Sequence, residues 1–140
     1  MSARPYPEGP PIRDVAHARL LARFRAQLPP GVRFRTEVPL RQDRDQRAWD
    51  GEIQAADGTC KLEAETALRD LQATDRKIAL KMADDRVERV ILIVSDTRGN
   101  RRVLREHREL IRDRYALDTT AVMRAIRTGR IPERSGIAVL

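Results

Sequence analysis

The sequence predicts an α/β domain with a mixed sheet, in the order helix, three meandering strands, helix, buried strand, helix, short helix, strand. Three observations carry this. Asp57-Gly58 separates two alternating runs within WDGEIQAADGTCKLEAE (residues 49–65), the strongest short hairpin signal. The run Val90-Ile91-Leu92-Ile93-Val94 is rich in β-branched residues and bounded by polar ones, as a strand covered on both faces would be. Apolar stripes at helical spacing stand before and after these strands.

Each element has its own signal. Residues 12–28 place His17, Leu20, Leu21, Phe24 and Leu28 on one stripe, and Pro29-Pro30-Gly31 stops the helix. Residues 32–38 alternate as a strand that Pro39 ends. Residues 41–47 form a charged loop before the hairpin. Residues 65–82 read as a second helix with Leu68, Leu71, Ile78 and Met82 inside and a polar stripe of Arg69, Gln72 and Arg76 starting at Glu65. Residues 87–94 are the buried strand. Thr97 or Asn100 caps a helix over 101–115 with Val103, Leu104, His107, Leu110 and Ile111 inside. Asp118 or Thr119 caps a short helix ending at Gly129, and residues 137–140 form a last short strand.

A chain of 140 residues is one domain and is long enough to bury a core. Residues 1–11 hold four prolines and read as a disordered tail, leaving 12–140 as a single domain. Against 21 acidic residues stand 28 basic ones, a net charge of +7 that favours a nucleic-acid partner. Aromatic residues are 4% of the chain, so the core must be aliphatic and base stacking on single strands is disfavoured. The one cysteine, Cys60, cannot form an internal disulfide, which suits a reducing cytoplasm. No apolar run approaches a membrane span or the core of a signal peptide.

The hairpin holds the candidate chemistry. A two-residue loop at Asp57-Gly58 sets Glu52 opposite Glu63 and Asp50 opposite Glu65. One face is then Gly51, Ile53, Ala55, Cys60, Leu62 and Ala64, with Cys60 a buried structural thiol. The other gathers Asp50, Glu52, Glu63 and Glu65 beside Lys61 and Gln54. Like charges opposed across strands destabilise a sheet, and a divalent cation would draw such carboxylates together. The plainer reading is a polar sheet face turned to water. There is no Walker loop, no GxGxxG, no zinc spacing and no GxSxG, so nucleophilic catalysis by serine or cysteine has no support.

Asp50 on the second strand and Glu63-Ala64-Glu65 on the third, followed by a helix and a buried strand, resemble the PD-(D/E)xK nuclease superfamily. The longer stretch from WDGEIQ through KLEAETALRD to VERVILIVSDTRGNRR is similar to small actinobacterial domains of unassigned function. The resemblance implies an αβββαβ restriction-endonuclease-like core with extra C-terminal helices and a short last strand. It implies Asp50 and Glu63 as ligands of Mg²⁺ or Mn²⁺, with Glu52 as an extra ligand and Glu65 orienting the attacking water or joining the metal shell. Glu65 stands where the superfamily usually has lysine, and Trp49 where it has proline. Lys61 or Arg69 would then supply the positive charge. Arg41, Arg44, Arg47, Arg69, Gln72, Arg76, Arg98, Arg101 and Arg102 are the candidates for gripping nucleic acid, DNA ahead of RNA.

Three readings follow. The first is a metal-dependent nuclease. The second is a nuclease-like domain without catalysis that binds DNA or regulates, which the absent lysine and proline favour. The third is a protein-interaction domain, its partner a helix-turn-helix regulator of the kind that precedes some of the similar domains. A homodimer is a further expectation, because many nucleases pair to cut two strands.

Overall fold

The computed structural model describes residues 12–41 and 46–140, with side chains from residue 15 onward. The expected N-terminal tail and Arg44 lie outside the described residues. The elements are α1 (Ile12–Arg25), β1 (Arg33–Pro39), β2 (Ala48–Ala55), β3 (Gly58–Glu65), α2 (Leu71–Asp85), β4 (Val90–Val94), α3 (Arg98–Glu106), α4 (Arg108–Arg114), α5 (Thr119–Arg127) and β5 (Gly136–Val139). The fold is α/β, with one open sheet in the order β1-β2-β3-β4-β5. β1, β2 and β3 meander antiparallel, whereas β3, β4 and β5 run parallel, so β2 alone opposes the rest.

Both faces of the sheet are covered. Leu20 and Phe24 of α1 and Val122 and Ile126 of α5 pack with Ile53, Leu62, Ile91 and Ile93. Ile78 of α2, Tyr115 and the inner residues of α3 and α4 pack with Trp49, Val90, Leu92 and Val94. The side chains of β4 alternate between the two cores, which is why its sequence shows no polar position. Cys60 is 2% exposed, and burial pushes its thiol up to about 12, so it is a packing residue. Among the described residues no helix is long and apolar enough to cross a membrane.

Four local expectations need correction. The hairpin loop is Ala56-Asp57, not Asp57-Gly58, since Ala55 pairs with Gly58 and Glu52 with Lys61. Gly58 enters β3 at φ +144°, and the Asp57 carboxylate accepts from Ile131 N at 3.0 Å. A slip of two residues leaves the alternation from Gly51 to Ala64 unchanged but removes the Glu52–Glu63 opposition. α2 begins at Leu71, because Asn100 captures the preceding segment: it accepts from Leu68 N at 2.8 Å and donates to Thr66 O at 2.9 Å. β4 likewise starts later than expected, at Val90. The helix expected over 101–115 is two helices, broken at His107, where φ −117° and ψ 31° leave the helical region.

One irregularity positions the site. Phe34 and Ile53 face the α1 core, yet Val38 and Trp49, four residues away on the same strands, face the α2 core. Strict alternation would put them on one face. Between them Glu37 takes φ +52°, and no Glu37–Asp50 pair appears in the β1–β2 register. A glutamate at positive φ is unusual backbone. The two strands turn over at this point, and Asp50 sits on the turn.

Candidate active site

The hairpin carboxylates do not face water as a row. Each meets a basic side chain. Glu52 accepts from Arg35 Nη2 at 2.9 Å and also from Lys61. Glu63 Oε1 accepts from Lys81 Nζ of α2 at 2.8 Å. Asp50 Oδ2 lies 3.2 Å from His17 Nε2 of α1, and Glu65 Oε1 lies 3.9 Å from Lys77 Nζ. Asp50 and Glu63 are further tied through the backbone. Asp50 N donates to Glu63 Oε2 at 3.0 Å, and Asp50 Oδ2 accepts from Ala64 N at 2.8 Å.

Burial divides the set. Glu63 and Lys81 are sealed in the core, where Lys81 also donates to Ala48 O at 2.8 Å and sits over the Trp49 ring. Asp50 and Glu65 instead border an open cleft of about 720 Å³ with His17, Arg69 and Lys77, at the carboxyl end of β3. Ligand sites of open α/β sheets sit outside strand carboxyl ends. Glu52 lies outside this cleft, with Lys61 and Arg35 on its two oxygens.

The protonation pattern follows from these partners. Burial alone would push Asp50 up, but the His17 contact and the Ala64 N–H outweigh it and hold the carboxyl below its ordinary value. Burial raises Glu63, and the neighbouring Asp50 charge adds to that against the pull of Lys81. Burial also raises Glu65, only partly offset by Lys77. The Asp50 hydrogen bond raises His17 against its own desolvation. The cleft thus carries an ionised carboxylate, a carboxyl that binds protons more readily than usual, and an imidazole inclined to stay charged.

The expected basic residues separate in the same way. Arg69 borders the cleft. Gln72 borders a neighbouring groove, while Arg76, Arg98 and Arg102 are exposed. Arg41 donates from its main chain to Asp85 Oδ1 and from Nη2 to Asp85 O, both at 2.8 Å. Arg47 pairs with Asp84 at 2.7 Å, and Arg101 with Asp96 at 3.1 Å. Arg41 therefore braces the segment before β2, and Arg47 ties that segment to the end of α2.

Sequence reasoning missed His17, Lys77 and Lys81 as partners of the carboxylates. One signal was available. The buried stripe of α2 is Leu71, Asp75, Ile78, Lys81 and Asp85, so charged residues occupy positions that helical spacing assigns to the core. Buried charges occur in pairs, and Glu63 was the unpaired candidate. Compared with family models, curated proteins and solved structures, the chain matches none.

Proposed function

We propose that this chain is a restriction-endonuclease-like domain whose cleft hydrolyses phosphodiester bonds of nucleic acid with the help of Mg²⁺ or Mn²⁺. The observation that carries the reading is that Asp50, at a turn-over of its strand, shares an open cleft with Glu65, His17 and Lys77. Titratable groups with shifted affinity for protons, gathered in a cleft, are the mark of a reaction site. The element order and the single opposing strand agree with the αβββαβ core. The lone buried Cys60 agrees with a reducing, cytoplasmic setting.

The donor set fits a magnesium-type ion only in part. Among the described residues no group of three or more His, Cys, Asp and Glu side chains is arranged to hold a metal. Both Glu63 oxygens are engaged, as are both of Glu52. Mg²⁺, however, keeps several waters and is held by one or two carboxylates together with substrate phosphate. Asp50, through the oxygen that contacts neither His17 nor Ala64, and Glu65 are such a pair. A bound ion supplies charge to polarise the phosphate and acidify a water.

The chain's own residues have distinct parts. Glu65 would lend one oxygen to the ion and accept the proton of the attacking water on the other. His17, 3.2 Å from Asp50 at the cleft, is placed to protonate the leaving oxygen. Lys77 and Arg69 offset charge gathering on the phosphoryl oxygens. Lys61, paired with Glu52, leaves that role to them. Glu63 acts through Asp50, whose main chain it holds.

The test is cleavage of plasmid and single-stranded DNA with Mg²⁺ or Mn²⁺ and an EDTA control. Metal-dependent cutting that drops by about 10²- to 10⁴-fold in Glu65→Gln and vanishes in Asp50→Asn supports the reading. A folded wild type that binds DNA without cutting it returns the domain to a non-catalytic binding module. That second reading is favoured by the Glu63–Lys81 pair, which closes the second acidic position to a metal.

A further inference from the structure

We propose that the arginine-rich outer side of α3 and α4 is a second contact that holds the phosphate backbone of double-stranded DNA outside the cleft, an inference that rests on the nucleic-acid reading of that cleft. Arg101, Arg105, Arg108 and Arg112 recur at positions i, i+4, i+7 and i+11 along the two helices, and all are exposed. Arg101 is neutralised by Asp96. Arg105, Arg108 and Arg112 carry no salt bridge among the described residues, whereas Arg35, Arg41, Arg47 and Arg114 each meet a carboxylate. The fold thus neutralises several arginines that brace it and, on this side of α3 and α4, leaves Arg105, Arg108 and Arg112 for an outside anion.

The row is fixed relative to the cleft. Arg105 and Arg108, with Glu106 and Glu109, border a groove that Gln72 of α2 shares, three residues after Arg69 of the cleft. On the other side Asn100 binds α3 to Thr66 and Leu68, next to the cleft wall. A backbone leaving the cleft past Arg69 and Gln72 meets Arg105 and Arg108 next.

Shape and composition select the duplex. Phe24, Trp49 and Tyr115 are buried and Phe34 is half-buried, so no described aromatic offers a stacking platform for single-stranded bases. Arg105, Arg108 and Arg112 stand on both sides of the break at His107, so the unpaired guanidinium groups form a short row across the junction of α3 and α4. Such a short row suits the evenly spaced phosphates along one strand of a duplex.

The test is a fluorescence-anisotropy titration of the 140-residue chain with a short labelled duplex, in EDTA, across a salt series. Each phosphate contact contributes close to one unit to the slope of log affinity against log salt, so Arg105→Gln/Arg108→Gln should flatten that slope by about two. Affinity near physiological salt should fall about tenfold or more with it. Arg105→Lys/Arg108→Lys should keep the slope. Arg124→Gln/Arg130→Gln, the same charge loss near α5, should behave as wild type. A wild type that ignores duplex, a Gln pair with the wild-type slope, an equal loss in the α5 variant, or equally tight single-strand binding would each overturn the proposal. The titration uses no divalent cation, so an inactive cleft leaves it unaffected. Cutting that persists alongside an unchanged slope removes the second contact and leaves the cleft.

Discussion

Lys81 is the residue on which the hairpin's acidic side depends. Glu63 is 3% exposed and lies beside Asp50, so its charge is tolerable only with a cation in contact. Removing one partner of a buried pair leaves an uncompensated charge, whereas removing both with apolar replacements often costs little. Lys81→Met should therefore destabilise the protein by about 3–5 kcal/mol at neutral pH. Lys81→Met/Glu63→Leu should recover most of that loss. Urea unfolding of both variants checks this, and a single variant within about 1 kcal/mol of wild type would mean that Glu63 does not need its lysine. The acidic face was legible in the alternation of Asp50, Glu52, Glu63 and Glu65. Its partners were not, because Lys81 and His17 reach it only through tertiary packing that pattern and propensity do not encode.

At the scale of elements, the segment between β3 and α2 decides the shape of the cleft. Helical spacing predicted that α2 would run on from Glu65, since Leu68 and Leu71 fall on one stripe. Asn100 overrides that preference. It is 4% exposed, satisfies Leu68 N and Thr66 O, and donates to Ser95 O at 2.9 Å as well. Asp70 then opens α2 as an ordinary N-cap, accepting from Ala73 N at 3.0 Å. The two residues should respond differently to truncation. Asp70→Ala removes one cap and should cost about 1 kcal/mol. Asn100→Ala strands several buried polar groups and should cost about 1–3 kcal/mol for each left unsatisfied. Amide exchange at Leu68 separates them: faster in Asn100→Ala, unchanged in Asp70→Ala. Equal loss of protection in both would place the anchor in the cap instead. Long-range hydrogen bonds of this kind move an element's start by several residues without leaving a local signal, whereas Asp118, which does accept from Ala121 N at 2.9 Å, was readable because a cap acts locally.

Across the whole molecule, α1 returns over the sheet so that His17 meets Asp50, and this contact should respond to pH. The pleat had to turn over at Glu37 for the contact to form, so no strand pattern foretold it. Folding raises His17 above its ordinary 6.5, so its contribution is complete below pH 6.5 and is lost as pH rises through the folded value. Glu63 and Glu65 are raised as well; their contributions are complete below 4.5 and fade as pH rises through their folded values. Asp50 is lowered, and its contribution is present above 3.8 and lost as pH falls through its folded value. His17 thus weakens the fold as pH rises above about 6.5, and Glu63 and Glu65 as it rises above about 4.5, whereas Asp50, with Glu52 and Asp85, whose carboxyls are also lowered, weakens it in strong acid. His17→Asn should flatten the decline above neutrality and leave the loss in strong acid in place. Thermal unfolding of both proteins from pH 3.5 to 8.5 reads this directly. Superimposable curves above pH 6.5 would mean that α1 does not hold Asp50 in solution, and the proton donor assigned to the cleft would go with it.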